Sequence, residues 1–214
     1  TYVQFGPYWN VPPGIAREEI LPRARRDRGY LARHGYELVR GWGDDAPVVN
    51  ARRVSTAALL SGRYRVRQRP GPENALGRVK FMFPNPHHIY LHDTPARALF
   101  DERVRAASHG CVRVGDPAAL AAFVLAGQAA WTPGRIRAAL ETGERARVDL
   151  ARPVPVYLVY LTAFAQDGRL VFRPDRYDRD GALIAALGGE AAAAADGSDA
   201  RAALRALAAR LAPG

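Results

Sequence analysis

Residues 89–114 read IYLHDTPARALFDERVRAASHGCVRV. This stretch opens with a strand-like alternation and closes on a Ser-His-Gly turn that carries Cys111, the only cysteine among 214 residues. The strand reads from a little earlier, as HHIYLH over residues 87–92. Its period of two puts Ile89 and Leu91 on one face and His88, Tyr90 and His92 on the other. The first face is the natural core side, so His92 is expected at a strand end lining a cleft. Cys111 follows, leading into a segment that feeds a capped helix.

A thiol is a weak nucleophile until it loses its proton, and an imidazole within reach can take that proton or stabilise the thiolate. Gly110 permits a tight turn. Such a turn aims successive backbone N–H groups at one point, as an oxyanion hole for acyl transfer requires. Arg113 adds a fixed charge and a fork suited to a carboxylate. A structural reading stands beside this one: Cys111 as a small core residue, His109 as a turn residue, Arg113 as a solvated charge, and His87 and His88 at a strand edge. His34, before Gly35, reads as a helix C-terminal histidine. A metal reading fares worse, because His88 and His92 on a strand are about 13 Å apart.

Working outward, GRVKFMF (77–83) reads as a second strand, separated from the first by Pro84 and Pro86. After the cysteine turn, Asp116 caps a helix with Pro117 at its first position, an apolar stripe of Leu120, Phe123 and Val124, and a stop at Gly127. A second helix repeats the logic with Thr132, Pro133, Ile136, Leu140 and Gly143. Upstream, residues 15–35 read as a polar helix ending at Gly35, and residues 36–75 as an irregular insert rich in Gly, Pro and Asp. Downstream, VPVYLVYLTAF (154–164) reads as an apolar strand. Residues 182–212 form an Ala-rich tail, with Leu204, Leu207 and Leu211 as a helical stripe.

Composition bounds the function. With 48% hydrophobic and 24% charged residues, the chain has a globular profile. The net charge is +10, and Lys80 is the only lysine among 31 basic residues. The arginines are scattered, without a recognition helix or zinc-finger spacing, so no nucleic-acid partner is expected. Runs such as AALAAFVLAG (118–127) are half of what a bilayer helix needs, and no membrane contact is expected from this segment.

IYLHDTP (89–95) and SHGCVRV (108–114) together resemble the active-site signature of the L,D-transpeptidases, the YkuD-type catalytic domain. YWNVPPGIAREEILPRARRDRGYLARHGYE (8–37), RQRPGPENALGRVKFMFPN (67–85) and PVYLVYLTAFAQDGRLVFRPDRYDRD (155–180) are similar to its larger, YcbB-like branch, so that the resemblance spans roughly residues 5–185. It implies a mixed β/α fold: a β-sandwich catalytic domain over residues 1–180, a helical capping insert at about 15–66, and an Ala-rich linker with a C-terminal helix over 181–214. The family's strands before YWNVPP are not found here, which implies an N-terminally shortened sandwich with an exposed edge. Tyr8 and Trp9 are expected to flank the cleft or to pack within their strand.

The resemblance implies an enzyme of the periplasm that forms 3→3 cross-links between peptidoglycan peptide stems. Cys111 would be the nucleophile and His92 the general base, oriented by a backbone carbonyl rather than by a side chain. The N–H groups of His109, Gly110 and Cys111 would hold the oxyanion. Ser108 and His109 would shape the turn, while Arg113 and Tyr90 would bind substrate or shape the site. Asp93 is expected to cap the Thr94-Pro95 turn. No metal or organic cofactor is implied, and carbapenem-type β-lactams would be covalent inhibitors. Two alternatives remain: an L,D-carboxypeptidase or endopeptidase with water as acceptor, and a non-catalytic peptidoglycan-binding module.

Overall fold

The computed structural model describes residues 1–186 except 28, 42, 52, 53, 56, 57, 59, 60, 103, 106, 107 and 109. The Leu204, Leu207 and Leu211 stripe and the 187–214 tail lie outside the described residues. The chain divides into two compact units, Thr1–Val156 and Tyr157–Gly214.

The first unit is built on a five-stranded mixed sheet in the order β8-β7-β6-β1-β9. Strand β1 (Tyr2–Phe5) is central, antiparallel to both β6 (Val79–Met82) and β9 (Ala146–Asp149). Beyond β6, β7 (Leu91–His92) pairs antiparallel, and β8 (Val112–Arg113) joins β7 as the parallel edge. The mixed β/α class read from the sequence therefore holds.

Register gives this sheet two unlike faces. Val3 lies opposite Phe81 and Val148, and Phe81 opposite Leu91, so one row is apolar. The next row, also straight across the ladder, runs Arg113, His92, Lys80, Gln4, Arg147. The apolar face, with Val3, Phe5, Val79, Phe81 and Val148, packs on Ala121, Leu125, Ile136 and Ala139 of two helices. Phe5 is fully buried and stacks on Trp131, ring centroids 4.8 Å apart and ring planes nearly parallel.

Those two helices form where the caps predict. The Asp116 carboxylate accepts the Ala119 N–H at 2.9 Å for helix Pro117–Val124, and the Thr132 hydroxyl accepts the Arg135 N–H at 3.2 Å for helix Pro133–Thr142. Gly143 ends the second in the left-handed conformation, φ 69°. Ile136 faces inward as expected. Two residues of the expected stripe, Leu120 and Val124, pack against the core beside the buried Ala121 and the C-cap Leu125, while the third, Phe123, is 65% exposed.

The insert departs from its reading as irregular chain. Strands β2 (Trp9–Asn10), β3 (Tyr36–Val39), β4 (Val48–Val49) and β5 (Arg65–Gln68) form a four-stranded sheet in the order β2-β5-β3-β4. It has its own core of Val11, Ala16, Ile20, Leu21, Leu38 and Val66. The expected helix over 15–35 is segmented into Pro13–Ile15, a π-turn at Ala16–Ile20, Leu21–Arg26 and Tyr30–Arg33. Pro22 lacks the N–H that a regular ladder would use, and Asp27, extended at φ −136°, ends the Leu21–Arg26 segment.

Two other expectations fail. HHIYLH is a strand only at Leu91–His92, because a turn at residues 86–87 and a positive φ of 55° at His88 break it. The Asn85 side chain holds that turn, donating to the Ile89 carbonyl at 2.7 Å and accepting the Ile89 N–H at 2.9 Å. The VPVYLVYLTAF run enters a ladder only from Ala163, and Val154 to Leu161 are exposed without a pairing strand among the described residues.

In the second unit, β10 (Ala163–Gln166) and β11 (Arg169–Phe172) make a hairpin through Asp167-Gly168, both at positive φ as a tight turn needs. A helix, Asp180–Ala186, follows, and the Thr162 hydroxyl donates to Asp180 at 2.9 Å. No described helix is long and apolar enough to cross a membrane.

The central place of β1 sets a stability expectation. Phe5→Ala removes the most enclosed ring of the core and costs about 3–5 kcal/mol. Phe123→Ala, on the solvent side, stays within about 0.5 kcal/mol. Urea denaturation of both variants measures the difference.

Candidate active site

The parallel pairing of β7 with β8, Leu91 with Val112 and His92 with Arg113, orders the site. The Val112 N–H donates to the Tyr90 carbonyl at 3.1 Å, and the Val114 N–H to the His92 carbonyl at 2.8 Å. This ladder sets Tyr90 beside Cys111 and His92 beside Arg113, all four on the polar face. Cys111 and His92 are then diagonal neighbours, with Cα atoms about 8 Å apart by strand geometry.

His92 is buried, and its Nδ1 bonds the Asp93 backbone carbonyl. A carbonyl only accepts, so Nδ1 carries the proton and Nε2 keeps its lone pair for a base. Burial lowers the pKa of His92 most; the Asp93 hydrogen bond opposes this, and the Arg113 charge lowers it further. The imidazole is thus held neutral to the acid side of its ordinary value of 6.5. The Tyr90 ring meets it edge-on at 6.0 Å, and the Tyr90 phenol neighbours the Cys111 thiol. Burial, then the neighbouring Cys111, push the Tyr90 phenol up, so it stays a donor.

Asp93 does not cap the turn that follows it. Its Oδ2 accepts the Arg78 N–H at 2.9 Å and its Oδ1 the Arg97 guanidinium at 3.2 Å, while Thr94 takes the turn through the Ala96 N–H. Gly77 makes the close approach possible: at φ +62°, a Cβ there would stand 2.4 Å from Asp93 Oδ2. Arg97 also donates to the Gly115 carbonyl at 2.6 Å, tying the segment after β7 to the segment after β8. Asp93 and Arg97 therefore position the site. Neither role shows itself in sequence, because Arg78 and Gly115, which tie this pair to the rest of the sheet, lie far along the chain.

At the Cys111 turn Gly110 adopts φ 124°, a conformation that disfavours side chains, and its N–H donates to the exposed Ser108 hydroxyl at 3.3 Å. His109 lies outside the described residues. His87 and His88 are exposed in the Asn85 turn, off the site. Among the described residues, no three His, Cys, Asp or Glu side chains gather as a metal site. Trp9 packs in the insert core, 6.4 Å from Tyr36, and Tyr8 is held between two guanidiniums, Arg67 at 4.0 Å and Arg145 at 4.6 Å.

This arrangement offers a thiol, a neighbouring phenol and a neutral imidazole with a fixed tautomer, groups suited to nucleophilic chemistry at sulfur. Comparison with known proteins points the same way. The family model of the L,D-transpeptidase catalytic domain, YkuD, matches residues 1–149. A Haemophilus influenzae protein described as "Putative L,D-transpeptidase" is 36% identical over 179 residues, covering 83% of this chain and 36% of that protein. The chain thus spans about a third of that relative's length.

The electrostatics of His92 can be read directly. Its imidazole is expected to titrate below 6.5 when followed by NMR, and Arg113→Gln to move the midpoint upward, because removing the positive neighbour favours the imidazolium. A midpoint unmoved by that substitution would show that burial alone sets it.

Proposed function

We propose that this chain, which belongs to the L,D-transpeptidase (YkuD) catalytic-domain family, joins peptidoglycan peptide stems through a thioester on Cys111. The observation that carries the reading is the β7–β8 register, which sets Cys111 against Tyr90 and one step from a base-ready His92.

In this mechanism His92 Nε2 takes the Cys111 proton, and the thiolate attacks the carbonyl that precedes the terminal D-alanine of a tetrapeptide stem. The N–H groups of Cys111 and Gly110, with that of His109, receive the developing oxyanion. For Gly110 this means exchanging its long bond to Ser108 for one to the substrate. The intermediate collapses, the C–N bond breaks, and the proton on His92 passes to the departing D-alanine amine. The side-chain amine of diaminopimelate on a second stem then attacks the thioester, gives its proton to His92, and restores the thiol as a 3→3 cross-link forms. Tyr90 donates to the sulfur while it is anionic. Arg113 favours neutral His92 at the start of each half-reaction and offers its fork to a substrate carboxylate. The setting for such chemistry is the periplasm, and carbapenem-type β-lactams would acylate the same thiol.

Intact mass after incubation with a carbapenem tests the first half. A stoichiometric adduct is expected on the wild type and none on Cys111→Ala. His92→Ala slows acylation by about 10²–10⁴. Product analysis with a tetrapeptide donor and an added amine tests the second half: amide product supports transpeptidation, whereas tripeptide alone makes water the acceptor. A folded wild type that forms no adduct would overturn the mechanism.

A further inference from the structure

Beyond His92, the polar row of the sheet continues to Lys80, Gln4 and Arg147. Here the sheet floors a cavity of about 430 Å³, lined by Tyr2, Gln4, Lys80, Arg145 and Arg147, with Asp44 of the insert as a wall. The insert is fixed at this point. Arg67, buried and paired with Glu37 at 2.5 Å, donates to the Gly43 and Asp44 carbonyls at 3.1 and 2.7 Å, and the Asp44 carboxylate accepts from Arg145 at 2.6 Å.

The cations of this cavity are unequally satisfied. Arg145 has Asp44. Arg147 has Asp149 at 2.9 Å and lies over the Tyr2 ring at 3.9 Å. Lys80 forms an ion pair with none of the described carboxylates and has Asp44 only through space; its Nζ stands 5.7 Å from the Tyr90 ring centre. Desolvation lowers its pKa, so the ammonium is held where a bound anion would be worth most. The chain's only lysine thus sits one strand, about 4.8 Å, from the candidate base, on the side away from Arg113 and Cys111.

We propose that this cavity is the acceptor side of the cleft, where Lys80 binds the carboxylate borne on the same carbon as the attacking amine. The inference rests on the transpeptidase reading and goes further, to how the acceptor is chosen. The acyl group is held over β8. The incoming amine must give its proton to His92 on β7, so whatever extends from that amine away from the sulfur reaches β6. An amine carrying its own carboxylate, as the diaminopimelate side-chain amine does, places the anion two bonds further on, at Lys80. Lys80 is a binding residue in this scheme and moves no proton.

The test compares glycine and glycinamide, a matched pair that differs in the carboxylate, as acceptors with a tetrapeptide donor, at equal concentrations of free amine. The wild type is expected to favour glycine by tenfold or more. In Lys80→Met the glycine-to-glycinamide ratio falls by about ten- to a hundredfold, the scale of one charge-assisted hydrogen bond, and Lys80→Arg recovers part of it. A wild type without preference, or a ratio unchanged in Lys80→Met, overturns the proposal. Circular dichroism checks folding, and Lys80→Arg, which keeps the charge, carries the test if the methionine variant misfolds. In parallel, diaminopimelate binding to the unacylated chain is followed by ligand-observed NMR. Weaker binding in Lys80→Met than in wild type supports the subsite even if no transfer occurs, in which case the transpeptidase reading fails alone. Equal binding in both, or none to the wild type, overturns the subsite.

Discussion

The parallel pairing of β7 with β8, only two residues on each side, is the constraint on which the site depends. Cys111 and His92 are nineteen positions apart, and no local propensity brings them together. The ladder does, and it leaves no freedom: a slip of one residue would turn Cys111 and Arg113 to the apolar face. So short a strand pair has little stability of its own. Braces on both flanks hold it: Asn85 before β7, Asp93 on the Gly77-Arg78 turn, and Arg97 reaching the Gly115 carbonyl.

The same sheet separates two tasks by its pleat. Its apolar face supplies the core with the two capped helices, and its polar face carries the row from Arg113 to Arg147. Rigidity on one side becomes preorganisation on the other, since Lys80, Gln4 and Arg147 each stand one residue away from a buried apolar side chain. His92 sits in this row with Arg113 on one side and Lys80 on the other. Burial and the nearest cation keep it neutral, and the Asp93 carbonyl fixes which nitrogen stays free.

The insert contributes a wall rather than a reacting group. Its sheet and core are its own, and the buried Arg67 converts that stability into a fixed position for Asp44. Tyr8, between Arg67 and Arg145, belongs to this bracing.

What the sequence determined by itself was local or chemically distinctive. The two helices are legible because Asp116, Thr132, Pro117, Pro133 and Gly143 act within one turn of themselves. The Ser-His-Gly-Cys turn and its upstream histidine identify the family because that combination of residue types serves few other purposes. What only the tertiary structure decided depends on partners distant in the chain. The insert became a sheet because β5 found β2 and β3. Phe123 lost its place in the core to Ala121 and Leu125, since the surface a helix meets decides which of its residues are covered. Asp93 turned to Gly77 and Arg78 instead of its own turn. Lys80 is one residue of an ordinary strand pattern until β6 is laid beside β7, and only then does its charge stand next to His92. Local signals set backbone segments and chemistry, but strand neighbours set which side chains meet, because pairing is a contact between residues that the chain does not itself place together.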